Sequence, residues 1–111
     1  NVCLGTDSLA SMSKKNGETP ILSMLSEMNR FVRAFPDIAP ATALQMATLN
    51  GARALGMDGQ IGILEEAAQA DMIAIPFSDA MTEATQAVVH YSGAVSGAMI
   101  GGKWAIAPNL N

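Results

Sequence analysis

The sequence is short of charge. Of its 111 residues only 14% are Asp, Glu, Lys or Arg, where about 25% is usual for a soluble domain. A chain of this length exposes much of its surface, so the deficit implies that part of that surface is normally covered by more protein. Aromatic residues make up only 5%, and a core built instead from Ala, Gly and Met buries little area per residue. A single Cys excludes an internal disulfide framework and fits a reducing, cytoplasmic compartment. The six basic residues, Lys14, Lys15, Arg30, Arg33, Arg53 and Lys103, are scattered and the net charge is −4. Without a basic stripe there is no electrostatic footprint for nucleic acid. No apolar run reaches the roughly 18 residues of a membrane span, and no signal-peptide pattern opens the chain. Asn1-Val2-Cys3-Leu4-Gly5 starts without Met inside an apolar run, which reads as a cut within a longer chain.

What is present has a clear order. Val2 to Leu4 form a short apolar run halted by Gly5-Thr6-Asp7-Ser8, the pattern of a buried strand with Cys3 inside it. Residues 11–18 read as a loop. Thr19-Pro20 is expected to open a helix, since Thr caps free N–H groups and Pro suits the first helical position. Its stripe is Ile21, Leu25, Met28, Val32 and Phe35, and Pro36 ends it. A second helix is expected from Pro40 to Leu55, with Leu44, Ala47, Gly51 and Leu55 inward and Gly56 as C-cap. Gly51 in mid-helix costs roughly 1 kcal/mol against Ala, usually compensated by a close backbone contact. Residues 57–69 are turn-rich. Met72 to Phe77 and Ala87 to Tyr91 read as strands, with 78–86 holding at most one short helix. Ala98 to Ile106 reads as a hairpin turning at Gly101-Gly102. The pattern is one βα unit, a helix and three or four strands. A lone βα unit has no strand neighbour, which again marks the chain as incomplete.

Three stretches carry a resemblance. Leu4-Gly5-Thr6-Asp7-Ser8 resembles the end of the eighth barrel strand of the amidohydrolase superfamily. Ala47-Thr48-Leu49-Asn50-Gly51-Ala52-Arg53-Ala54-Leu55-Gly56 resembles the helix that follows that barrel. Ile61-Gly62-Ile63-Leu64-Glu65 with Ala70-Asp71-Met72-Ile73-Ala74-Ile75 resembles the re-entry into the superfamily's small β-sandwich. Ser8-Leu9-Ala10-Ser11 is most similar to the deaminase and chlorohydrolase branch, which includes the aminodeoxyfutalosine-type and adenosylhomocysteine-type deaminases. The sequence departs from the pattern at Ala67 and Ala68, where the family usually has a Gly and then a basic residue.

The resemblance implies an α/β fold: the C-terminal end of a TIM (β/α)8 barrel over residues 1–56 and part of the flanking β-sandwich over 57–111. It implies that Asp7, at a strand end where barrel enzymes keep their chemistry, is the catalytic residue of this stretch: it contacts a divalent metal (zinc or iron) and helps take the proton from an attacking water. The bland reading of Asp7 is a turn residue after a strand. Ser8 is the candidate substrate contact, against a hydroxyl that ties down its own loop. His90, the one histidine, is read as a strand residue, because a zinc site needs at least three protein ligands and it lies far from Asp7. Thr48, Asn50 and Arg53 are read as structural, bonding backbone groups where helical segments join or pairing with a nearby carboxylate.

The expectation is therefore a C-terminal fragment of a metal-dependent deaminase or hydrolase that acts on a ring C–N, C–Cl or similar bond of a small, nitrogen-heterocyclic substrate. The fragment alone is expected to bind no metal and to be inactive. Its partners would be the N-terminal part of the same enzyme, the small-molecule substrate and further copies of itself, with no nucleic acid and no membrane. A non-catalytic interaction module or a degenerate remnant is the alternative.

Overall fold

The computed structural model describes residues 1–8, 17 and 21–109. Helix α1 spans Met24–Ala34, α2 Pro40–Ala47, α3 Leu49–Ala54 and α4 Ala84–His90. Strands β1 (Met72–Ala74), β2 (Gly97–Ile100) and β3 (Lys103–Ile106) form an antiparallel sheet in the order β1-β2-β3. The described chain is thus a small α/β arrangement in which α4 connects β1 to β2. No helix among the described residues is long and apolar enough to cross a membrane.

Helix α1 starts later than Thr19-Pro20, which lie outside the described residues, as does the expected loop over 11–18 apart from Gly17. Residues 21–23 are not helical. Ser23 is the N-cap instead, extended at φ −144° and ψ 120°, its side chain accepting the Ser26 N–H at 3.4 Å, which satisfies one orphan donor of the first turn. The expected stripe is consequently trimmed at both ends. Met28 and Val32 are buried and Leu25 packs partly against them, but Ile21 is 80% exposed and Phe35 53%, because both lie beyond the helix. Asn29 replaces them as an inward residue, and its polarity is satisfied. It donates to the His90 carbonyl at 2.7 Å and accepts from Arg33 Nε at 2.7 Å.

The single helix expected from Pro40 to Leu55 is broken at Thr48, whose φ of −126° and ψ of −87° leave the helical region. The Thr48 hydroxyl donates to the Leu44 carbonyl at 2.7 Å, and such bonding back to the preceding turn competes with the helix ladder and bends it. The break rotates α3 relative to α2. Ala43, Met46 and Ala52 are the buried residues, Leu44 and Ala47 pack partly against the core as expected, and Leu55 is exposed. A Cβ placed on Gly51 would meet nothing within 4 Å, so the close contact expected there is absent among the described residues. The close approach belongs to Gly62, where a Cβ would stand 2.7 Å from the Thr48 carbonyl oxygen. Helix α3 ends as expected at Gly56, with φ +70°. Gly56 N–H donates to the Arg53 carbonyl and Met57 N–H to that of Ala52, the paired bonds of a Schellman motif.

Two strand expectations in the second half of the chain change. The run Ala87 to Tyr91 is helical, the C-terminal part of α4 preceded by a 3-10 turn at Met81–Glu83. A short apolar run of this kind cannot be assigned by periodicity alone, and here Val89 is fully buried against Met28, Val32 and Ala43. His90 accordingly ends a helix rather than sitting in a strand. Strand β1 stops at Ala74 instead of Phe77, as Pro76 has no N–H to give a ladder. The hairpin is as expected. Gly101 and Gly102 have φ of +56° and +78°, the pair of positive values that a tight two-residue hairpin demands. Asp71 secures the turn to β1 by accepting the Gly101 N–H at 2.6 Å.

Candidate active-site segment

Residues Val2 to Leu4 do not pair with a strand among the described residues. The segment is instead laid against the α2–α3 break by three hydrogen bonds. Leu4 N–H donates to the Met46 carbonyl at 2.9 Å. Asn50 Nδ2 donates to the Val2 carbonyl at 2.8 Å, and Asn1 Nδ2 donates to the Asn50 carbonyl at 3.0 Å. Cys3, expected inside a buried strand, is exposed, since the segment pairs with no strand among the described residues.

This segment delivers Asp7. The residue is exposed and has φ +56°, a left-handed conformation in which Asp is several-fold enriched but which most side chains avoid. Ser8 follows it, also exposed. Asp7 and Ser8 are thus presented at the surface, next to each other, on a short chain held from below by α2 and α3. No group of three or more His, Cys, Asp or Glu that could hold a metal occurs among the described residues. Among the described residues Asp7 is the carboxylate at this place, and it does not make a complete ligand set.

The structural readings of the helical block hold. Thr48 and Asn50 bond backbone carbonyls at the helix break, and Arg53 Nε lies 3.7 Å from Asp58 Oδ1 in an exposed pair. The residue whose reach sequence reasoning missed is Asn50. Its bonding to backbone was expected, but its partner Val2 lies 48 positions away, and no local pattern signals such a pairing.

A separate cleft of about 390 Å³ lies between the end of α2, the Gly62–Leu64 turn, β1 and α4, lined by Leu44, Ile63, Met72, Ile73 and Val88. It is largely apolar and includes neither Asp7 nor Ser8.

Comparison with known proteins places the chain. The Amidohydrolase family matches it over residues 1–105, so the chain belongs to the amidohydrolase family. Among its relatives is the 5-methylthioadenosine/S-adenosylhomocysteine deaminase of Teredinibacter turnerae, 40% identical over 83 residues, which cover 71% of this chain and 18% of that protein. The protein of the same name from Moorella thermoacetica is 41% identical over 78 residues, 68% of this chain and 18% of the relative. That from Saccharophagus degradans is 37% identical over 83 residues, 71% of this chain and 18% of the relative. The chain therefore spans less than a fifth of the length of the curated relatives it matches.

Proposed function

We propose that this chain is the C-terminal part of a metal-dependent amidohydrolase that deaminates a 6-aminopurine nucleoside carrying a thioether, the substrate class named in its relatives. The observation that carries the reading is the agreement of several relatives on one activity at about 40% identity over most of the chain, together with an exposed carboxylate, Asp7, at the end of a pinned segment. In this reading residues 1–56 are the last barrel strand with its following helices, and residues 57–111 belong to the flanking β-sandwich.

The reaction replaces the exocyclic amine by oxygen: water adds at the ring carbon, the C–N bond breaks and ammonia leaves. When bound, a divalent metal, zinc or iron, supplies a water whose pKa is lowered toward ~7. Its other ligands come from outside the described residues. Asp7 is this chain's contribution. A carboxylate presented at a strand end can accept the proton that the attacking water must lose. Ser8, adjacent and exposed, can offer a hydroxyl to the substrate. Partners follow from the same reading: the remainder of the enzyme, the small-molecule substrate and further copies of the enzyme, in the cytoplasm. By itself the 111-residue chain is inactive, since one carboxylate does not make a three-ligand site.

The test is ammonia release by the full-length protein that carries this chain, with 5-methylthioadenosine and S-adenosylhomocysteine as substrates. Turnover should disappear on chelation and return with zinc or iron. A pure, metal-replete protein that deaminates neither compound contradicts the proposal.

A further inference from the structure

We propose that Asn50 is a positioning residue for Asp7, acting through the backbone of the segment that carries it. The inference rests on the reading of Asp7 given above. Asn50 is half-buried on α3, and its side-chain amide donates to the Val2 carbonyl at 2.8 Å while its own carbonyl accepts from Asn1 Nδ2 at 3.0 Å. With the Leu4 N–H to Met46 carbonyl bond, the three contacts fix residues 1–4 on the α2–α3 break. A Cβ on Gly5 would meet nothing within 4 Å, so packing at Gly5 does not set the path from Leu4 toward Asp7. Asp7 nevertheless sits at φ +56°. Sparsely populated backbone conformations persist only where the surroundings impose them, and the clamp at residues 1–4 holds the chain three residues before Asp7. The break at Thr48 is part of the device. It turns α3 so that Asn50 faces Val2, and the turn at Gly62 comes close to the Thr48 carbonyl, where a Cβ would stand 2.7 Å away.

The experiment uses the full-length protein with 5-methylthioadenosine as substrate and the variants Asn50→Asp, which keeps the size but removes the donor, and Asn50→Ala. Arg53→Ala is the control, because Arg53 pairs with Asp58 away from the segment. The expected result has three parts. Turnover kcat falls about 10–100-fold, the scale of a small misplacement of a reacting group, while KM changes little. Hydrogen exchange of the peptide covering residues 1–8 accelerates with the rest of the protein unchanged. In an Asp7→Asn background Asn50→Asp causes no further loss, since residues that act as a unit are non-additive. Native kcat in both Asn50 variants overturns the proposal. So does a loss that merely tracks the folded fraction, or one that adds in full to that of Asp7→Asn. If neither Asn50 variant folds, Asn1→Ala, which removes one bond of the same clamp, is held to the same three readouts. Should Asp7→Asn itself retain the native rate, the assignment of Asp7 fails, while unchanged exchange at residues 1–8 in Asn50→Asp separately disproves the clamp.

Discussion

The helices and the sheet of this chain are built to different standards of burial. Helices α1, α2 and α4 cover one another around Met28, Val32, Ala43 and Val89, all buried. In the sheet, Ile73 is 55% exposed, Ile100 67% and Trp104 52%. The register puts Met72, Met99 and Trp104 on one face and Ile73, Ala98 and Ile106 on the other. An antiparallel sheet with one wet face alternates apolar and polar residues, whereas Met72-Ile73-Ala74 has no polar member. The lesson is that the helical part supplies its own core, while the sheet has the composition of an element covered on both faces.

The sharpest way to break this comparison is truncation in both regions of the 111-residue chain. Met28→Ala should cost about 2–5 kcal/mol, the usual range for emptying a buried Met site. Trp104→Ala should cost no more than ~0.5 kcal/mol, as for an ordinary surface substitution. In the full-length protein the Trp104 penalty should rise toward ~3–5 kcal/mol as the sheet gains cover. Denaturant titration of both proteins measures all four values. Equal penalties for Met28 and Trp104 in the short chain would show that the two regions do not differ.

A smaller effect is expected where the helices meet the turn-rich segment. Gly62 and Gly59 share positive φ values of +77° and +78°, but only Gly62 lies against a neighbour, the Thr48 carbonyl. Gly59→Ala should cost the left-handed penalty alone, about 1–2 kcal/mol. Gly62→Ala should cost a further ~1–3 kcal/mol for overpacking against backbone. Matching stabilities of the two variants would remove Gly62 from its role in holding the helix break.

The smallest expected effect is a gain. Ala67 has φ +70°, at the position where the sequence pattern of the family calls for Gly. Ala67→Gly relieves a strain of ~1–2 kcal/mol and loses ~0.5–1 kcal/mol of backbone entropy, for a net gain of roughly 0.5 kcal/mol. A loss of stability on this substitution would mean that the turn is held by something other than its backbone geometry.

Much of this was legible from local chemistry. Gly56 after a helical run and Gly101-Gly102 between apolar runs each act within a few residues, and each appears where the pattern puts it. The misreadings share a different cause. Ala87 to His90 is a short apolar stretch whose helical state is decided by docking Val89 onto α1 and α2. The break at Thr48 depends on a side-chain bond to Leu44 and on Gly62 arriving from a later turn. Burial of Cys3 was inferred from a strand that the described residues do not form. At the candidate site the residue Asp7 came from a motif, but the hydrogen bonds beneath it join residues 1–4 to positions near 50, and long-range pairing of that kind leaves no periodic trace.

The central proposal is that this chain brings a working carboxylate, Asp7, to the active site of a deaminase. Its most direct test is Asp7→Asn in the full-length protein, with ammonia release from 5-methylthioadenosine, metal content and thermal unfolding measured on the same preparation. The carboxamide keeps the shape but cannot take the proton, so kcat should fall about 10²–10⁴-fold with the unfolding transition unchanged. A folded Asp7→Asn enzyme turning over at the native rate would contradict the account.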